Sequence, residues 1–120
     1  MYKRQPSPHL YPWGDTFTPG AANTESAGQG APVPVGSYSR GATPLGLQDM
    51  IGNVWEWTSS SMRPYKNGGP MPPEMTTNMR VIRGGAFNTL DRLATVSIRG
   101  RSQPTTKRED LAATGLRCVK

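Results

Sequence analysis

The sequence predicts a small, loop-rich domain built on short strands, and three observations carry that reading. Glycine (14) and proline (12) punctuate the 120 residues so often that no run is left for a long helix. Only 34% of the residues are hydrophobic, and no amphipathic helical stripe organises them. After Gly52-Asn53 the chain alternates, with Val54, Glu56 and Thr58 on one side of a ribbon and Trp55 and Trp57 on the other. A chain of this size buries a smaller share of its surface than a large one. A loop-rich version is therefore marginal without a metal ion or further chain to complete it.

Residues 1–10 are polar and broken by proline, and they read as a disordered lead. Ordered structure starts at Tyr11-Pro12-Trp13-Gly14-Asp15, where an aromatic pair around a proline anchors a loop on the core. Residues 18–31 are rich in Gly, Ala and Ser and read as surface loop. Val33 to Tyr38 is short and extended, with Pro34 restricting it to a sheet edge. Residues 59–78 hold Pro64, Gly68-Gly69-Pro70 and Pro72-Pro73, so a long loop is expected, with Met62, Met71, Met75 and Met79 covering the core. Arg80 to Arg83 is a strand ending at Gly84-Gly85, where missing side chains permit a bulge or close packing. Thr89 to Ala94 suits one or two helical turns, Val96 to Arg99 a further strand, and Gly115 to Val119 a short terminal one. Cys118, in that last segment, reads as a buried small hydrophobe.

The chemistry-bearing stretch is Gly46 to Thr58, which sets Asp49 before the Gly52-Asn53 turn and Glu56 just after it. Both turn residues tolerate positive φ, so the chain can reverse there and bring the two carboxylates together. Two readings stay open on spacing. In one, Asp49, Glu56 and the carbonyls of Gly52 and Val54 surround calcium, a hard cation that takes roughly six to eight oxygens. In the other, Asp49 caps its own turn and Glu56 pairs with an arginine, the commoner arrangement for acids at turns.

The net charge of +6 resides in the C-terminal third, where nine bases (Arg80, Arg83, Arg92, Arg99, Arg101, Lys107, Arg108, Arg117 and Lys120) face Asp91, Glu109 and Asp110. These arginines stand singly among Gly, Ser and apolar residues, not clustered on a recognition helix, so no nucleic-acid partner is expected. Bridging loops to carbonyls and acids is their expected role. One cysteine excludes an intrachain disulfide framework, and no apolar run is long enough for a membrane-spanning helix.

In order along the chain, Tyr11-Pro12-Trp13-Gly14-Asp15, Asn23-Thr24, Pro34-Val35-Gly36-Ser37-Tyr38, the run Pro44 to Thr58, the run Arg80 to Phe87, Arg99-Gly100-Arg101 and Gly115-Leu116-Arg117-Cys118 resemble successive landmarks of the formylglycine-generating enzyme family. These proteins are also called sulfatase-modifying factors. The resemblance spans Tyr11 to Val119. It implies an α+β, C-type-lectin-like fold with short antiparallel strands, residues 11–120 forming the C-terminal part of such a domain. The N-terminal half that precedes the Tyr-Pro-Trp-Gly-Asp landmark in the family is expected as a missing partner, and Met1 to Gln5 resembles a translated adaptor, so a truncated fragment is expected.

The resemblance also implies one calcium at Asp49, Gly52, Val54 and Glu56. A second family calcium site begins at a segment matching Asn23-Thr24, but the loop to Pro34 is short here and Glu25 is its one acid. Catalytic members hold copper with two cysteines shortly after the Gly-Gly strand. The matching stretch, Asn88 to Ala94, has no cysteine, and copper(I) needs soft thiolate ligands, so copper is not expected. Sulfoxide synthases of the ergothioneine type carry iron mainly on histidines of another domain, whereas His9 is the one histidine here. The expected function is a calcium-stabilised binding or scaffold module for a protein or peptide ligand, displaying residues 59–78 and 88–94. The alternative is the C-terminal part of a family oxidoreductase whose metal ligands lie outside this chain.

Overall fold

The computed structural model describes residues 9–104 and 112–118. Among these residues four strands form one sheet: β1 (Trp55–Ser61), β2 (Arg80–Arg83), β3 (Arg99–Ser102) and β4 (Thr114–Gly115), in the order β3-β2-β1-β4. Among the described residues, helix is limited to three single-turn 3-10 segments, Glu25–Ala27, Ser39–Gly41 and Pro73–Met75. Loops make up the rest of this loop-rich α+β arrangement, as frequent Gly and Pro dictate.

β1 pairs antiparallel with β2, and β2 with β3. The short β4 departs from the antiparallel expectation by running parallel to β1, through Trp55↔Thr114 and Glu56↔Gly115. Between Trp57 and Ser61 the register with β2 slips: four steps along β1 match two along β2, the mark of a bulge. Gly100 lies opposite Ile82 on β3, and a Cβ there would come within 2.9 Å of Ile82 and 3.1 Å of the Trp55 ring. Its bare backbone lets the indole extend across β2 to β3.

Several expected elements move or dissolve. Val33 to Tyr38 is not a strand: it is bent into turns by the Ser37 N–H bond to Pro34 O. The strand expected over Val96 to Arg99 begins only at Arg99, because residues 95–98 close a turn through Ile98 N–H on Thr95 O. Residues 90–94 form a single turn, with the Leu93 and Ala94 amides both donating to Leu90 O. Cys118 is exposed, not buried, since it follows β4 at the sheet edge where nothing described covers it.

The core lies beneath the loops. Tyr11, Ala22, Ile51 and Ala94 form its centre, with Trp13, Phe17 and Val96 packed against them. Tyr11 stacks on Trp13 at 5.6 Å and meets Phe17 edge-on at 5.5 Å, so the first landmark does anchor its loop. Of the four methionines expected as cover, Met62 is buried and Met71, Met75 and Met79 are half-buried. Residues 1–8 of the expected lead lie outside the described residues; His9 bonds Asp15 at 3.0 Å, and Leu10 O accepts from Val96 N–H. The His9 hydrogen bond, followed by that from Leu10 N–H, holds the Asp15 carboxyl below its ordinary range. No helix among the described residues is long and apolar enough to cross a membrane.

Candidate metal centre

Gly52 (φ 73) and Asn53 (φ 64) both take the left-handed conformation, which only glycine and, at modest cost, asparagine adopt readily. That double turn is fastened on three sides. Gly52 N–H donates to Gly84 O (2.9 Å), Asn53 N–H to Asn23 O (2.7 Å), and Phe87 N–H to Asn53 O (3.0 Å). A Cβ at residue 52 would lie 2.5 Å from Asn23 O, so the backbones approach too closely for any side chain. The Asn53 side chain holds the neighbouring loop: its Oδ1 accepts from Asn23 Nδ2 (3.1 Å) and Val33 N–H (2.9 Å), and its Nδ2 donates to Val33 O (3.0 Å).

This turn lies against a cleft of about 470 Å³ whose lining includes Asp49, Gly52, Val54 and Glu56, so all four residues expected around the ion share one cavity. Asp49 is itself in a left-handed conformation (φ 54), and its Oδ2 accepts from Gly36 N–H at 2.7 Å. Glu56 is 17% exposed, and its Oε1 takes two bonds from Arg117, Nε at 2.9 Å and Nη2 at 2.6 Å. The same Nη2 donates to Gln48 O (3.0 Å) and Asp49 O (3.2 Å). The arginine pairing expected in the second open reading is met at Glu56. Asp49 accepts from Gly36 N–H, thirteen residues away, in place of capping its own turn, and both acidic residues line one cleft.

Neither that arginine nor Gly36 as the partner of Asp49 is identifiable from the sequence. The parallel β1–β4 pairing brings Arg117 beside Glu56 from 61 residues away, a contact that no local pattern announces. Other arginines behave as their spacing suggested. Arg80 donates to Ser59 O, Arg83 to Ser97 O and Ile98 O, and Arg99 to Arg63 O, all main-chain carbonyls.

The donor set is all oxygen, which suits a hard cation and not a soft one. No three His, Cys, Asp or Glu side chains converge among the described residues, so a cation here would rest on two carboxylates and neutral oxygens. At the second expected segment, Asn23 and Thr24 are fully buried. Thr24 Oγ1 donates to Asp91 Oδ1 at 2.6 Å, while Glu25 is exposed and its amide bonds Thr89 O. Asn23 Oδ1 is buried with no hydrogen-bond partner among the described residues.

Against known families, the chain matches the sulfatase-modifying factor enzyme 1-like domain over residues 6–120. It is 36% identical over 105 residues to hercynine oxygenase of Mycolicibacterium thermoresistibile, covering 78% of this chain and 23% of that protein. To the formylglycine-generating enzyme of Streptomyces coelicolor it is 31% identical over 129 residues, covering 91% of this chain and 40% of the relative. The chain thus spans less than half the length of either relative. Among solved structures, Treponema denticola variable protein 1 superimposes with a TM-score of 0.67 at 22% identity, over 88% of this chain and 39% of that one, a likeness of fold alone.

Proposed function

The chain belongs to the sulfatase-modifying factor family, and from that premise we propose that it is a calcium-stabilised binding or scaffold module. Asp49 and Glu56 would hold the ion with their carboxylates, and Gly52 and Val54 with their carbonyls. The bound ion would supply a fixed positive charge that fastens oxygen-bearing loops to one another. The observation that carries the reading is the shared cleft, since two acids seven residues apart reach it only because the left-handed turn folds their segments together. The unpartnered Asn23 Oδ1, beside Asn53, marks a second place where an oxygen ligand lacks a counterpart.

The module reading follows from the ligand chemistry. Cys118 is the one cysteine of the chain, and it follows β4, far in sequence from Asn88 to Ala94, so this chain does not supply a thiolate pair there. The second reading, part of a family oxidoreductase with ligands outside this chain, is favoured by the identity to a protein named hercynine oxygenase. Metal-dependent oxygen uptake by this chain joined to a segment that carries metal ligands, and not by the chain alone, would establish it.

Calcium titration during thermal melting tests the ion. A ligand that binds only the folded state stabilises it by about 2.7 kcal/mol at a hundredfold excess over Kd. Addition of calcium is expected to raise Tm by several degrees, Glu56→Ala to abolish the rise, and Asp49→Asn, which leaves the Arg117 pair intact, to weaken it. An unchanged wild-type melting curve would remove the site.

A further inference from the structure

We infer that Arg117 sets the cation affinity of this cleft by acting as its resident counter-charge, a proposal that rests on the cation reading of Asp49 and Glu56. Both bonds from its guanidinium to Glu56 fall on Oε1, and Nη2 also bonds the carbonyls of Gln48 and Asp49. The guanidinium therefore touches the backbone or side chain of both acidic residues. It holds a full positive charge in the cleft wall, with its side chain 32% exposed. Arg117 thus makes the ionic contact with Glu56 that a bound metal would otherwise make.

Two effects of opposite sign follow. The guanidinium orients Glu56, which would help a metal bind, and it cancels one of two carboxylate charges, which opposes binding. Magnitude decides between them. Hydrogen bonds from the Arg117 side chain to Glu56 restrict a carboxylate that is already mostly buried on a strand, so the orientation they add is small. A divalent ion and a guanidinium on either side of one carboxylate repel by enough, even in the dielectric of water, to change affinity about tenfold. The net charge of the cleft side chains is −1 with arginine at 117 and −2 without it. Charge cancellation wins, and Arg117 lowers the affinity of the site while keeping the cation-free form folded.

Calcium binding to the 120-residue chain by isothermal titration calorimetry tests this with two variants. Arg117→Gln removes the charge and keeps an N–H donor for the carbonyls; it is expected to bind calcium at least about tenfold more tightly than wild type. Arg117→Lys keeps the charge and loses the planar fork; it is expected to stay within about threefold of wild type. Arg117→Gln equal to or weaker than wild type, with wild type binding, overturns the inference and makes Arg117 a purely geometric support. If Arg117→Gln does not fold, Arg117→Lys decides: near-native affinity supports the counter-charge, and a loss of about tenfold or more refutes it. No calcium binding by wild type or either folded variant fails the cation reading, and the inference falls with it. Binding by Arg117→Gln alone supports both.

Discussion

Asn53 shows how much one buried side chain can hold. Its amide serves Asn23 and both polar groups of the Val33 backbone, while its own N–H and C=O reach Asn23 and Phe87. A buried donor or acceptor stripped of its partner costs about 1–3 kcal/mol, so Asn53→Ala is expected to destabilise the fold by about 2–4 kcal/mol in urea unfolding. Asn53→Gly relieves the left-handed backbone but loses the same amide, and is expected to recover about 1 kcal/mol of that loss. The sequence marked Gly52-Asn53 as a turn through its residue types. It held no sign that the asparagine side chain, beyond tolerating positive φ, would secure a loop twenty residues upstream. Likewise Glu56 was legible as an acid beside a turn, whereas the identity of its partner arginine depended on where the chain returns.

At the level of elements, β2 was readable at its observed boundaries because Val81 and Ile82 are bulky apolar residues stopped by two glycines, both with positive φ. β3 lies three residues beyond the expected strand, because its sequence, Arg-Gly-Arg-Ser, has almost no strand character of its own. Its partner creates it: Ile82 and the Trp55 ring need a residue without a side chain at position 100. β3 also secures the long loop that follows β1. Arg99 Nη1 donates to Arg63 O at 2.7 Å, and the guanidinium lies 4.0 Å over the Tyr65 ring. Arg99→Ala removes both contacts and is expected to lower the local opening free energy of this loop by about 1–2 kcal/mol. Hydrogen exchange at the Met62 amide, bonded to Met79 O at 2.9 Å, should then quicken about tenfold, with β4 amides unchanged.

Over the whole molecule, the thin core expected from composition is what the structure contains. Among the described residues the buried apolar set includes four alanines, and Ile51 is its largest fully buried member. Large apolar side chains are instead spent at the surface, with Val35 87% and Leu116 74% exposed on the rim of the cleft. The chain is compact all the same, with a radius of gyration of 14.3 Å, against about 13.6 Å for a domain of this length. Stability must then be sensitive to the few large core residues. Ile51→Val is expected to cost about 1 kcal/mol and Ile51→Ala about 3 kcal/mol, measured by urea unfolding with and without calcium. From its sequence alone this protein was determined to be loop-rich, short in core, turned at Gly52-Asn53 and held by arginines on carbonyls, because backbone permissiveness and composition are local properties. Only the tertiary structure decided that β4 runs parallel to β1 and carries Arg117 to Glu56, because pairing between distant strands depends on how the intervening loops pack.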